Sequence, residues 1–302
     1  MSTWIGVDLG GTNLRTAIAD DQGQILHTVK METRAAQGAA CVLNRVAEAI
    51  RMLPGWEGAK GIGMGIPGGV SKDGETTVLT SNLVGFDGFP VRSCLSSLAG
   101  KPVAMENDAN VACLAEALLG AGQGLDTVVY ATLSTGIGGG MCVNGRLLRG
   151  AHGCAGEFGC ISCDPGRVPY GDLPPGAIES ESSGEAIVRK AHAALGIAFS
   201  HAGEVYDLAA SGHSGAQALV NRAIQDLAVT LNNIASVLDP DIFVLGGGCL
   251  KSAGYLLPRL SSCYREFAQP VFRDIPIRKG NLDEPGLIGA ALYAQRLLSS
   301  MP

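Results

Sequence analysis

The sequence predicts an α/β protein of two related domains, and three observations carry that prediction. A strand, a glycine turn and a returning strand open the chain in "TWIGVDLGGTNLRTAIAD", and the same plan returns in "DTVVYATLSTGIGGGMCVNGRLL". After each copy, strands are followed by helical patterns, an order that gives layered α/β architecture. A length of 302 residues accommodates two domains of ordinary size.

In the first unit Ile5, Val7 and Leu9 alternate before the glycine turn, and Leu14, Ala17 and Ile18 follow it, which predicts a hairpin. A third strand, "GQILHTVKME", is followed by the amphipathic stretch "AACVLNRVAEAIRML" and by a buried strand in "AKGIGMGIPGGV". "KPVAMENDANVACLAEALLG" reads as a short strand running into a helix that starts near Asp108, whose carboxylate suits a cap for orphan amides. Beyond the second hairpin, a proline-rich stretch precedes helical patterns at 184–194 and 214–237 and the strand "DIFVLGGG". A helix around 254–268, a strand in "PVFRDIPIR" and a last helix in "GLIGAALYAQRLL" complete the chain. Without a low-complexity linker, the domains are expected to touch and hinge around a cleft.

Composition excludes several classes. Hydrophobic residues make up 46% and charged residues 17%, with no apolar run of about 18 residues or more and no basic-then-apolar leader. A cytoplasmic protein with no membrane partner is expected. A net charge of −6 without a Lys/Arg cluster offers no footprint for a phosphate backbone, so nucleic acid is not an expected partner. Nine cysteines are better explained as reduced core thiols than as a disulfide framework, and only Cys154, Cys160 and Cys163 cluster.

The chemistry is concentrated at glycine-rich turns. "DLGGTNLR" offers the backbone of Gly10 and Gly11, the Thr12 hydroxyl and Asn13 to a polyphosphate, while Asp8 suits Mg²⁺ through water and Arg15 suits charge neutralisation. The second hairpin supplies Ser134, Thr135, Gly136, Gly138, Gly139 and Gly140. No Walker GxxxxGK[ST], protein-kinase signature or Rossmann fingerprint occurs, because "DLGGTNLR" leads into another strand where GxGxxG should open a helix. "ENDAN" puts Glu106, Asn107 and Asp108 at a strand's C-terminal end, where open sheets bind ligands. Asp108 there suits a base that takes a proton from an attacking hydroxyl, and the plain alternative is a helix cap. Gly246, Gly247 and Gly248 end a buried strand and would let backbone lie against a flat ring such as adenine.

In this order "DLGGTNLR", "ENDAN", "LSTGIGGG", "HGCAGEFG" and "LGGG" resemble the ROK family of sugar kinases and sugar-responsive repressors, from Ile5 to the final helix. The resemblance implies the actin-like ATPase fold, with RNase-H-like domains at 1–117 and 118–286, a last helix at about 287–302 packing back on the first, and sugar and Mg-ATP in the cleft. It implies transfer of the γ-phosphoryl group of ATP to a hexose or hexoside hydroxyl, usually at carbon six, and a homodimer. Asp108 matches the catalytic base; Asn82, Asn107, Glu157 and Glu179 match sugar ligands; Gly68 and Gly69 match the loop beside the sugar.

The chain departs from the resemblance at the family's zinc motif. The His position reads Cys160, and the later cysteine positions read Tyr170, Asp172 and Ala177, although the 19-residue spacing from Cys160 to Glu179 is kept. The usual zinc site is therefore expected to be lost. A substitute from His152, Cys154, Cys160 and Cys163 is the alternative, and a metal-free loop stiffened by Pro165, Pro169, Pro174 and Pro175 is the reading preferred. Cys160 is a poor hydrogen-bond partner, which would alter sugar preference. The competing functional class is a non-catalytic sugar-sensing regulator. The phosphate hairpin begins near residue 4, which leaves no space before it for a helix-turn-helix.

Overall fold

The computed structural model describes residues 2–78, 80 and 82–299. The strands are β1 (Thr3–Leu9), β2 (Asn13–Asp20), β3 (Ile25–Glu32), β4 (Ile62–Ile66), β5 (Gly69–Val70), β6 (Thr77–Val78), β7 (Val103–Asn107), β8 (Thr127–Leu133), β9 (Ile137–Val143), β10 (Arg146–Leu147), β11 (Ile242–Gly246) and β12 (Ile277–Lys279). The helices are α1 (Ala39–Arg51), α2 (Val91–Ala99), α3 (Asp108–Leu118), α4 (Ile178–Ser182), α5 (Gly184–Leu195), α6 (Ala202–Ala210), α7 (Ser214–Leu238), α8 (Ala253–Phe267) and α9 (Pro285–Leu298). They form two compact units: Met1–Gln123 with Gly140–Gly156 and Leu282–Pro302, and Gly124–Gly139 with Glu157–Asn281. Residues 140–156, expected in the second domain, thus group with the first unit.

The first unit is built on a sheet of order β3-β2-β1-β4-β7. β1 and β2 pair antiparallel with Asp8 opposite Arg15, and β4 and β7 extend the sheet in parallel. Alternation along β1 sends Ile5, Val7 and Leu9 into a core shared with Ile62, Met64 and the apolar stripe of α1. The positions between them are small, and this lets α9 lie on the opposite face of the sheet. A Cβ on Gly63 would fall 1.7 Å from the Ala290 carbonyl oxygen, and one on Gly6 would fall 2.2 Å from that of Leu287. The helix therefore packs backbone against backbone.

The second sheet has the order β10-β9-β8-β11-β12, with β11 parallel to both β8 and β12. Val128, Val129, Phe243 and Val244 are buried along its central strands, and Phe243 makes an edge contact with Tyr264 of α8 at 5.9 Å between ring centroids. The expected strand in "PVFRDIPIR" is shorter than its pattern suggested. Only Ile277–Lys279 pairs. Upstream, Phe272 and Ile275 close local turns and the Phe272 carbonyl accepts from the Tyr264 hydroxyl, so that backbone is satisfied outside the sheet. α9 begins at Pro285, a residue suited to a first helical position, and ends at Leu298; residues 300–302 of the expected helix lie outside the described residues.

All nine cysteines are free thiols, but Cys41 and Cys160 are exposed and so depart from the core reading. Among the described residues no helix is long and apolar enough to cross a membrane.

Candidate active site

In the first unit the β1–β2 turn is closed by the Gly10 N–H, which donates to the Asn13 carbonyl at 2.9 Å. Thr12 and Asn13 are exposed at its tip. Gly11 lies against Asn82, where a Cβ would be 3.1 Å from that of the asparagine, so the turn and Asn82 share one surface. Arg15 pairs with Asp8 across the hairpin and with Glu284 at 2.5 Å. Asp8 also faces the first turn of α9, since a Cβ on Gly286 would be 3.3 Å from its Oδ2.

The junction of β7 and α3 corrects the expected cap. Asn107, not Asp108, is the N-cap: its Oδ1 accepts the Ala109 and Asn110 N–H groups at 2.9 and 3.0 Å. Its Nδ2 donates to the Gly68 carbonyl at 3.0 Å, on a loop whose turn needs the positive φ of Gly68, +88°. Asp108 is the first residue of the helix, half-buried, with Oδ1 accepting the Ala109 N–H at 2.8 Å. Gly69 follows in β5, packed so tightly that a Cβ would meet the Cys154 sulfur at 2.6 Å.

In the second unit the β8–β9 turn is gripped by Glu179. The Glu179 Oε2 accepts the Ile137 N–H at 2.7 Å, and a Cβ on Gly136 would lie 2.4 Å from the same oxygen. Gly138 of the same hairpin lies within β9. Glu157, Cys160 and Glu179 are electrostatic neighbours. Burial and then the Glu179 charge push the Glu157 carboxyl pKa up, although its side chain keeps solvent access, and burial with both carboxylates raises the Cys160 thiol.

Beside this turn is a cavity of about 640 Å³, walled by Ser134 and Thr135, by Gly184, Glu185 and Val188 at the start of α5, by residues 200–203 and Asp207, and by Gly248, Cys249, Lys251 and Ser252. Gly184 is held there by its N–H to the Ser134 carbonyl at 2.7 Å. Of the three glycines at the end of β11, Gly248 lines the cavity. Gly246 instead makes space for the Tyr130 hydroxyl and Gly247 for the Leu133 carbonyl, each closer than about 2.6 Å to the Cβ that would stand there. Sequence reasoning missed His201, Asp207, Glu185 and Lys251, which sit in helices and turns without a motif.

The proline-rich loop is held by an ion cluster. The Arg167 guanidinium donates to both oxygens of Asp226 at 2.7 and 2.8 Å and to Glu181 Oε2 at 2.5 Å; Lys190 reaches the same Glu181 oxygen, and Asp164 lies at 3.2 Å. Cys163 donates through N–H and Sγ to the Gly176 carbonyl at 2.9 and 3.1 Å. Burial, foremost, pushes its pKa up to about 11, so it acts as a thiol donor. Among the described residues no group of three or more His, Cys, Asp or Glu is arranged to hold a metal ion.

Two five-stranded sheets, each opening on a glycine hairpin and each flanked by helices, define the actin-like ATPase fold. The chain belongs to the ROK family, whose model matches residues 4–297. It is 30% identical to a glucokinase of Halalkalibacterium halodurans, over 99% of this chain and 96% of that one. Among solved structures it is similar to a ROK hexokinase from Thermus thermophilus, with a TM-score of 0.89, 34% identity and coverage of 99% and 100%. It is also similar to a ROK glucokinase from Streptomyces griseus in complex with glucose and AMPPNP, with a TM-score of 0.82, 29% identity and coverage of 98% and 100%. The chain is accordingly an ATP-dependent carbohydrate kinase.

Proposed function

We propose that this protein transfers the γ-phosphoryl group of ATP to the carbon-six hydroxyl of a hexose, with Asp108 as general base. The observation that carries the reading is the division of labour at the start of α3: Asn107 takes the N-cap position, and Asp108, half-buried with Oδ1 on the Ala109 N–H, opens the first turn beside the Gly68 loop that Asn107 holds. Asp108 stands at the C-terminal end of a sheet strand, where a hydroxyl can be met by a base of fixed orientation.

The proposed sugar ligands are Asn82, the Gly68–Gly69 loop and Asn107 in the first unit, and Glu157 and Glu179 in the second, where Cys160 neighbours the two carboxylates and contributes no strong hydrogen bond. The nucleotide would occupy the second unit's cavity, with the turn at Thr135–Gly136 toward its phosphates and Gly248 toward its base; in the first unit, the turn at Gly10–Thr12 has the backbone chemistry to bind phosphate. Mg²⁺ keeps most of its waters and takes one or two carboxylates plus substrate phosphate, so Asp8 alone, steadied by Arg15, fits it without a protein cage. When bound, it would neutralise phosphate charge.

The test is ADP release from Mg-ATP over a panel of glucose, mannose, allose, fructose, N-acetylglucosamine, N-acetylmannosamine and cellobiose. Strong stimulation by one sugar is expected. Asp108→Asn should then keep sugar affinity and lose turnover by about 100-fold or more. Turnover unchanged in that variant would remove Asp108 from the role of base.

A further inference from the structure

Resting on the kinase reading, we propose that Glu106, Arg149 and Tyr293 form a positioning network that fixes the catalytic strand end in the first unit. Glu106 is a fully buried carboxylate, at 0% exposure, one residue before the Asn107–Asp108 pair. Its Oε1 accepts the Asn107 backbone N–H at 2.9 Å and the Asn110 Nδ2 at 3.1 Å. One oxygen therefore holds the last residue of β7 and the first turn of α3, the two segments that flank Asp108.

The other oxygen leads outward. Glu106 Oε2 accepts from Arg149 Nε at 2.5 Å, and the two terminal nitrogens of that guanidinium donate to the Lys72 and Ser71 carbonyls at 3.2 and 3.1 Å. Ser71 and Lys72 continue the loop of Gly68, whose carbonyl already receives Asn107. The β7 end and the Gly68–Lys72 loop are thus tied twice, through Asn107 and through the Glu106–Arg149 pair. Tyr293 of α9 is an electrostatic neighbour of Glu106: burial first, and then that carboxylate's charge, raise the tyrosine pKa.

A carboxylate without solvent is costly unless its lone pairs are filled, and here Asn107, Asn110 and Arg149 fill them while tying together the strand end, the first turn of α3 and the Gly68–Lys72 loop. None of the three side chains is assigned contact with the reacting atoms, so each acts through Asn107 and Asp108. Displacement of a reacting group by about 1 Å lowers turnover by about 100-fold, and that is the effect assigned to the loss of Arg149. Lysine at this position carries the charge but not the three-way fork, so Arg149→Lys should recover little.

Arg149 and Tyr293 both line a second cavity of about 640 Å³ in this unit, together with Lys72, Arg92 and Met105. Guanidinium from solution can therefore reach the space an alanine would leave. The experiment first establishes sugar-stimulated ADP release by the unaltered protein; its absence would count against the kinase reading, not against the network. Arg149→Ala is then assayed for sugar affinity, kcat, melting temperature and rescue by guanidinium chloride at low millimolar concentration. Expected are sugar affinity within about threefold of the unaltered protein, kcat down about 100-fold, and partial recovery with guanidinium but not with sodium chloride. Unchanged kcat, or loss of kcat and affinity together without rescue, would overturn the proposal. Should Arg149→Ala fail to fold, Tyr293→Phe carries the test: a kcat several-fold lower at unchanged sugar affinity supports the network, and an unchanged kcat overturns it.

Discussion

Glu157 and Glu179 face one another electrostatically, and the consequence is a pH dependence of sugar binding. A carboxyl whose pKa is raised by burial and by a like charge protonates at higher pH than an ordinary glutamate, near 4.3. If the ionised Glu157 accepts from sugar hydroxyls, KM for the sugar should climb as pH falls through that raised pKa. Glu179→Gln removes the neighbouring charge while keeping an oxygen for the Ile137 N–H, so the rise in KM should move to lower pH. Glu157→Gln should abolish the dependence and raise KM about tenfold at neutral pH, as expected for one lost charge-assisted hydrogen bond. Steady-state kinetics between pH 4 and 8 read both variants and the unaltered protein, and a KM profile that Glu179→Gln leaves in place would contradict the coupling. The residues of this pair were legible in the sequence because each belongs to a short motif. Arg149 was not, because it meets Glu106 from 43 positions away and no local pattern marks it.

At the scale of elements, the loop between the Glu157 turn and α4 is clamped by Arg167. Prolines were the expected source of its order, yet the structure adds a guanidinium shared by Asp226 of α7 and Glu181 of α4. That partnership spans 59 positions, which hid it from sequence reading in the way the hairpins, each one continuous stretch at 3–20 and 127–143, were not. The short helix α6 escaped for a related reason: nine residues give too few turns for periodicity to stand out. Arg167→Met should destabilise the protein by about 2 kcal/mol, less than a fully buried broken pair because Lys190 and Arg222 remain near the stranded carboxylates. It should also raise sugar KM by loosening the loop that carries Glu179 into α4. The pH dependence has a definite sign. Burial opposes ionisation of Glu181, but hydrogen bonds from Lys190 and Arg167 outweigh it and hold the pKa below the ordinary value. This stabilisation is present above the unfolded-state pKa, near 4.3, and is lost as pH falls through the lower folded value. Thermal unfolding of the variant should accordingly fall less steeply on acidification than that of the unaltered protein.

On the scale of the whole molecule, the two units depend on different kinds of closure. The first unit is assembled from three chain segments, and its sheet accepts α9 only because Gly6 and Gly63 leave no side chain in the way. Gly63→Ala puts a methyl where the Ala290 backbone now lies and should cost about 2 kcal/mol or more, read as a lower melting temperature. The second unit is made from two segments, and its long loop is closed by charge, by Cys163 as a thiol donor and by prolines. A loop ordered by zinc would unfold when the metal is stripped, because metal binding is then part of the folding free energy. A loop ordered by ion pairs responds instead to acid and to loss of its arginine. Incubation with a zinc chelator, followed by restoration of Mg²⁺, should therefore leave both melting temperature and sugar-stimulated ADP release unchanged, while Arg167→Met lowers the first. Elemental analysis of the purified protein supplies the decisive control: stoichiometric zinc lost together with activity would mean that cysteine ligation, and not the Arg167 cluster, closes the loop.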